Sequence, residues 1–171
     1  MDGASGIVVI GVGNEFRHDD GVGCAVLARL AERAAGRPPL PPLPPGTVLT
    51  ACDGDPARLL GLWENAGLAV VVDAARAEPS RPGRVHRLVL DAARPGRSAT
   101  ATSSHGLGLG DAVELSRVLG RLPDRLVVYA VEGADRSPGK GLSAPVAARV
   151  DALARDVVEE AVRYDAGAEG S

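Results

Sequence analysis

The sequence predicts an α/β fold: a three-layer α/β/α sandwich with a mostly parallel five-stranded sheet, of the phosphorylase/hydrolase-like type. The first observation is that short, continuous apolar runs, such as residues 7–10 and 68–72, are typical of strands buried on both faces. The second is that segments with apolar residues at helical spacing lie between these runs. Buried strands that alternate with amphipathic helices indicate a parallel sheet covered by helices on both sides.

Length and composition indicate a single domain, residues 1–171. Hydrophobic residues make up 45% of the chain but aromatic residues only 2%, so the core must consist of Val, Leu, Ile and Ala. The net charge of -3 argues against a nucleic-acid partner, and no run approaches the roughly 18 apolar residues of a membrane span. With neither a signal peptide nor CxxC spacing, we expect a cytoplasmic protein, and a monomer because no apolar surface stripe is left over.

Each element is assigned from the period of its apolar residues and from its end signals. In chain order, the predicted elements are a strand at 7–10, a helix from Val22 to near Gly36, a proline-rich surface loop at 37–46, a strand at 47–51, a helix from Pro56, a strand at 68–73, an edge strand at 84–90, a loop at 91–104, a helix carrying Leu109, Val113, Val118 and Leu119, a strand at 125–131, and a final helix carrying Val146, Val150, Leu153, Val157 and Ala161.

Four local signals accompany these elements. Asp55, followed by Pro56, is predicted to cap the second helix, because aspartate is favoured at the N-cap and proline at the first helical position. Ser143 is predicted to cap the final helix. His86 is interpreted as a solvated residue of the edge strand, and residues 166–171 as a flexible tail.

The turn after the first strand argues against a dinucleotide site. Gly11 and Gly13 fit the start of that fingerprint, but its third glycine is replaced by Phe16. Two adjacent carboxylates, Asp19 and Asp20, would also face the pyrophosphate. The loop therefore suits a cation. Either carboxylate could instead cap the following helix, and we favour Asp19 as that cap.

Chemistry-bearing side chains are predicted to meet at one edge of the sheet. The carboxyl ends of parallel strands lie together, which gathers the Asp19–Asp20 pair, Asp73 and the loop residue His105. Asp73 could pair with Arg76, but a carboxylate at the end of a buried strand favours a site role. His105 could equally cap its helix. Two carboxylates and an imidazole would suit nickel, zinc or manganese.

The chain resembles the hydrogenase maturation proteases. Five separated segments, together with the Leu142–Val146 stretch, carry this resemblance in the right order along nearly the whole chain. They are the Gly11–Asn14 turn, the acid pair before Gly21 and Gly23, Asp53 with Gly54, Asp73 with Ala74, and His105 with Gly106.

The resemblance implies an endopeptidase that removes the C-terminal extension from the nickel-loaded precursor of a nickel–iron hydrogenase large subunit. It implies that Asp20, Asp73 and His105 form the metal-binding and catalytic trio, with nickel supplied by the substrate and replaceable in vitro by zinc or cadmium. The first of these positions is often Glu in the family. The residues expected to support the site are Gly11, Gly13, Asn14, Asp19, Asp53, Gly54 and Gly106.

Other functions stay open at this point. A peptidyl-tRNA hydrolase-like esterase also opens with a strand and a Gly-x-Gly-Asn turn, but here Arg17 and His18 follow Asn14 too soon and the net charge does not suit tRNA. A nickel-binding maturation chaperone could use the same trio without proteolysis. A nucleotide-binding module is the weakest alternative, because of the glycine turn.

Overall fold

The computed structural model describes residues 6–32, 39–92 and 109–170. Strands and helices alternate along most of this part of the chain, as the apolar pattern predicts. The elements are β1 (Gly6–Val12), α1 (Val22–Ala31), β2 (Val48–Cys52), α2 (Pro56–Trp63), β3 (Ala66–Ala75), β4 (Val85–Asp91), α3 (Gly110–Val118), β5 (Arg125–Glu132), α4 (Ala144–Ala147) and α5 (Val150–Glu169), with a short 3-10 turn at His18–Gly21 before α1.

The sheet has five strands in the order β2-β1-β3-β5-β4. Neighbouring strands are parallel except for the edge strand β4, which runs antiparallel to β5. The central strand β3 is buried along almost its whole length, as its continuous apolar run predicts. This topology confirms the mostly parallel α/β sandwich, and it brings the carboxyl ends of β1, β3 and β5 to one edge.

Two apolar cores cover the faces of the sheet. On one face, α1 and α5 pack on side chains such as Val9, Val70 and Val127. On the other face, α2 and α3 pack on Ile10 and Val71. Helices on both sides explain why the central strands β1, β3 and β5 lack alternation, because both of their faces are buried.

Helix α1 lies unusually close to the sheet, and glycine makes this possible. A Cβ atom added to Gly23 would lie 2.6 Å from the carbonyl oxygen of Val72 and 2.7 Å from the backbone nitrogen of Val12. A Cβ atom added to Gly11 would lie 2.6 Å from the carbonyl oxygen of Gly23. The two glycines therefore set the distance between α1 and the strands that end at the candidate site.

We expect Gly23→Ala to destabilise the protein by about 1–3 kcal/mol, because overpacking forces backbone shifts. The matched control is Gly61→Ala in α2, where an added Cβ atom meets nothing within 4 Å. That change should stabilise the protein by about 0.4–1 kcal/mol, since alanine restricts the unfolded chain. Urea unfolding of both variants measures the difference. Equal effects at the two positions would contradict the close packing of α1.

Several boundaries differ from prediction. The predicted final helix is two helices, because the helical conformation is interrupted between Ala147 and Val150 although the apolar period continues. Helix α5 extends to Glu169, where the sequence predicted a flexible tail. Val118 and Leu119, at the end of α3, are 79% and 50% exposed and do not join the core.

The proline-rich segment is described from residue 39 onward and contains neither helix nor strand up to the turn before β2. Its leucines contribute to the core, because Leu40 is buried and the half-buried Leu43 packs against the α1–α5 core. The predicted end of α1 near Gly36 lies outside the described residues; within them, α1 ends at Ala31.

Candidate functional site

The β1–α1 turn presents Asp20 at the carboxyl edge of the sheet. Gly13 adopts φ +127°, which favours glycine, and a side chain there would collide with the carbonyl oxygen of Asp20. The backbone N–H of Asn14 donates to Oδ2 of Asp20 at 2.8 Å, and Oδ1 of Asn14 accepts from the N–H of Phe16 at 2.9 Å. These contacts fix the position of Asp20, which is half-buried.

Asp73 lies near the end of β3 and is 6% exposed. Burial raises the pKa of its carboxyl group to about 7, and the negative charge of Asp20 contributes to the rise. Oδ1 accepts a hydrogen bond from its neighbour, the backbone N–H of Ala74, at 2.8 Å. The structure thus brings Asp20 and Asp73 together, and a carboxyl group that titrates near neutral pH is suited to proton transfer.

Asp19 is fully buried and does not cap the helix, so that prediction is wrong. Its carboxylate accepts four hydrogen bonds of 2.7–3.1 Å, from the backbone N–H groups of Ala134, Asp135 and Ser143 and from the Ser143 hydroxyl. Burial would raise the pKa of Asp19, but these donors outweigh it and lower the pKa. Asp19 therefore clamps the loop after β5 to the start of α4.

The Ser143 side chain belongs to the same hydrogen-bond cluster around Asp19. Its hydroxyl donates to Asp19 at 2.8 Å, and it makes no side-chain hydrogen bond to the helix it precedes. The predicted cap is therefore a clamp contact, although Ser143 does occupy the N-cap position of α4.

His18 also fastens the loop after β5. Its Nδ1 donates to the carbonyl oxygen of Gly141 at 3.0 Å, and its backbone N–H donates to the carbonyl oxygen of Gly139 at 2.9 Å. The backbone N–H of Gly139 returns a bond to Phe16 at 2.7 Å. With Nδ1 bound in this way, the imidazole of His18 acts as a brace between two loops at the sheet edge.

The Asp53–Gly54 pair serves the start of α2. Asp53 is exposed; it accepts from the backbone N–H of Asp55 at 3.1 Å and pairs with Arg58 at 3.2 Å. The backbone hydrogen bond from Asp55, together with Arg58, lowers the pKa of Asp53. Gly54 has φ +93°, a conformation that favours glycine. The predicted Asp55 cap is confirmed, because its side chain accepts from the backbone N–H of Arg58.

The third predicted ligand, His105, and its neighbour Gly106 lie outside the described residues. Within the described ranges, no three His, Cys, Asp or Glu side chains lie together so as to hold a metal ion. Asp20 and Asp73 alone offer hard oxygen ligands that fit a divalent cation needing one further donor. The metal trio therefore stays a prediction, with two of its members placed at one edge of the sheet.

Sequence reasoning missed two groups near this edge. Glu132, buried at the end of β5, accepts from the backbone N–H of Arg81 at 3.1 Å and contacts Nε2 of His86 at 2.8 Å, and these contacts lower its pKa. His86 is thus a hydrogen-bond partner of a buried acid and not merely a solvated strand residue. The second group is Arg136, in the loop after β5. A carboxylate closing a buried strand was a usable signal for Glu132; no comparable pattern marks Arg136.

Cys24 is not arranged as a nucleophile. It is half-buried in the first turn of α1, and burial raises the pKa of its thiol, as do the nearby charges of Glu15 and Asp20. A raised pKa disfavours the thiolate that cysteine catalysis requires.

In the ranges that the structure covers, none of the helices has the length and apolar character of a membrane span.

Comparison with known proteins identifies the family. A family model described as hydrogenase maturation protease matches residues 53–160. The chain is 27% identical over 154 residues to the hydrogenase 2 maturation protease of Escherichia coli strain K12, which covers 89% of this chain and 88% of that protein.

Solved structures agree. The hydrogenase maturating endopeptidase HybD from E. coli superposes with a TM-score of 0.68 at 27% identity, over 92% of this chain and 91% of that one. A hydrogenase 2 maturation peptidase from Thaumarchaeota archaeon SCGC_AB-539-E09 gives a TM-score of 0.61 at 25% identity, over 91% and 97%. Taken with the matched family model, these likenesses establish that the chain belongs to the hydrogenase maturation protease family.

Proposed function

We propose that this chain is the endopeptidase that removes the C-terminal extension from the nickel-loaded precursor of a hydrogenase large subunit. The observation that carries the proposal is the pairing of Asp20 with Asp73 at the carboxyl edge of the sheet, where the charge of one raises the pKa of the other. Family membership supports a protease over a tRNA hydrolase. Two carboxylates held close together are suited to a cation that arrives with the substrate.

In this proposal, nickel is part of the substrate. Asp20, Asp73 and His105 would hold it, and zinc or cadmium could replace it in vitro. A divalent cation at such a site polarises a carbonyl group or lowers the pKa of a water molecule. If the metal must bind all three of these side chains, only a precursor that carries nickel would be held in the position for cleavage.

Asp20 and Asp73 would have different roles in this site. Asp20, fixed by the N–H of Asn14, keeps a charged carboxylate at the rim of the site. Asp73, whose pKa is raised to about 7 by burial, would give up its proton when the cation binds. The two cysteines, Cys24 and Cys52, are both free, which supports a reducing cytoplasm as the place of reaction.

The test is a processing assay with purified precursor, loaded with nickel or free of it, read by the mass of the released C-terminal peptide. We expect wild-type protein to cleave only the loaded precursor. Metal binding without cleavage would favour the chaperone interpretation and contradict the proposal. A cadmium soak of crystals, read by anomalous scattering, should show a peak between Asp20, Asp73 and His105 that His105→Ala removes.

We expect Asp20→Asn to lower cleavage of the loaded precursor by about a hundredfold or more, because the amide loses the charge that stabilises a cation. The matched control is Glu15→Gln, which removes an exposed carboxylate from the same loop. That control should cleave at the wild-type rate. Similar losses in both variants would show that the loop needs only its total negative charge, and would argue against Asp20 as a ligand.

A further inference from the structure

The guanidinium group of Arg136 is unusual in the candidate site. Its Nη2 atom is buried, and it has no hydrogen-bond partner among the described residues. A buried donor left unsatisfied costs about 1–3 kcal/mol, so such groups are rare in folded proteins and call for an explanation. A substrate atom that accepts this hydrogen bond would be one.

Arg136 lies at the same sheet edge as the two aspartates, because its neighbours Ala134 and Asp135 bind the carboxylate of Asp19, the residue before Asp20. Burial lowers the pKa of Arg136, and the positive charge of Arg76 lowers it further, whereas the carboxylates of Asp20, Asp73 and Asp19 act in the opposite direction. The positive charge of Arg136 in turn lowers the pKa of Asp73. Arg136 is therefore a cationic group of the site itself.

The backbone around Arg136 is fixed before any substrate binds. The two preceding residues, Ala134 and Asp135, donate their N–H groups to the buried carboxylate of Asp19 at 2.7 and 3.1 Å. Just after it, the N–H and hydroxyl of Ser137 donate to the Asp135 carboxylate at 2.8 and 2.6 Å. A donor held in place in this way needs little reorganisation when charge develops beside it.

We propose that Arg136 is a catalytic residue whose Nη2–H donates to the carbonyl oxygen of the scissile peptide bond and stabilises the oxyanion that forms there. This inference rests on the proposed endopeptidase function. Arginine suits the role because it stays charged at every working pH and because a partly buried donor is stronger than one in water.

The chemical step balances as follows. The oxygen of a water molecule bonds to the carbonyl carbon, one of its protons passes to solvent water, and the π electron pair moves to the carbonyl oxygen beside Arg136. When the carbonyl re-forms, the C–N bond breaks and the amine nitrogen takes a proton from solvent water. The products are a new carboxyl terminus and a free amine, with no other reactant needed.

The test uses Arg136→Ala and Arg136→Lys in single-turnover cleavage of the nickel-loaded precursor. We expect Arg136→Ala to lower the single-turnover rate constant by about 10²–10³-fold. Precursor affinity should stay within about twofold of wild type, since the interaction forms only in the transition state. Arg136→Lys keeps the positive charge but loses the forked guanidinium donors, so its rate should lie between those of Arg136→Ala and wild type. Arg155→Ala removes an exposed arginine from α5 and is the control for charge.

Three details make the outcome decisive. Assays of wild type and variants are run across about pH 6–9, so that a shifted pH optimum is not read as a loss of rate. Added guanidinium should restore part of the activity of Arg136→Ala, which a purely structural defect would not allow. Thermal unfolding checks that each variant is folded, and Arg136→Lys decides the matter if Arg136→Ala is not.

Wild-type rates in both variants, or a loss that lies wholly in precursor affinity, would overturn the role of Arg136. The second result would mean that the guanidinium only holds the substrate or offsets the charge of the aspartates. These failures are distinct from failure of the proposed function, in which the wild-type protein itself would not cleave the loaded precursor.

Discussion

Replacing Asp73 with asparagine is expected to abolish precursor cleavage while making the folded protein more stable at alkaline pH. The carboxyl group has a pKa of 3.8 when unfolded and about 7 when folded, so the folded state binds the proton more tightly. Stability from this group is complete below pH 3.8 and is lost as the pH rises through about 7. Asparagine carries no charge to bury, and its amide oxygen can still accept from the N–H of Ala74.

The stability difference between Asp73→Asn and wild type should grow from near zero at about pH 4 towards about 4 kcal/mol at about pH 8, since each pKa unit is worth about 1.4 kcal/mol. Urea unfolding across this pH range measures it. Asp111→Asn, at an exposed carboxylate in the first turn of α3, should leave the pH profile unchanged. A difference that shrinks as the pH rises would show that Asp73 is stabilised as the anion.

Loss of the Asp19 carboxylate is the second change with a large expected effect. Asp19→Ala leaves the backbone N–H groups of Ala134, Asp135 and Ser143 without their acceptor. Because hydrogen bonds to a charged group contribute about 1.5–3 kcal/mol each, we expect the free energy of unfolding to fall by at least about 3 kcal/mol. Cleavage should fall with it, because the loop carrying Arg136 loses its anchor.

The measurement pairs urea unfolding with the processing assay for Asp19→Ala, Asp19→Asn and the control Asp111→Asn. Asparagine has one oxygen acceptor in place of two, so Asp19→Asn should lie between Asp19→Ala and wild type. A drop in stability with a wild-type rate of cleavage would show that the loop keeps its geometry without the clamp. Wild-type stability in Asp19→Ala would contradict the hydrogen bonds themselves.

The fold could be predicted because its determinants are local in sequence. Continuous apolar runs mark buried parallel strands, and the Asp55–Pro56 pair marks the start of α2. The predicted single final helix was wrong because apolar period does not report backbone continuity. Val146 in α4 and Val150 in α5 contribute to the same core, so the apolar period continues across the interruption between the two helices.

The site could be predicted only in part. The approach of Asp20 to Asp73 could be predicted, since topology brings the ends of parallel strands and the turns that follow them together, whereas their role as metal ligands stays a prediction. The role of Asp19 could not be read, because its partners lie 115–124 residues away in sequence. Arg136 sits in a polar loop where an arginine is commonplace, and only its burial beside the aspartates distinguishes it.

The clamp around Asp19 also ties local opening to global unfolding. It joins the turn after β1 to both ends of the loop between β5 and α4, which lie 115 and 124 residues further along the chain. Loops of this kind ordinarily open with little free-energy cost, but here the loop amides share one buried acceptor with the start of the C-terminal helices. We therefore expect the amides of Ala134 and Ser143 to exchange slowly, as one cooperative unit with the core, and the candidate site to stay assembled until the whole domain unfolds.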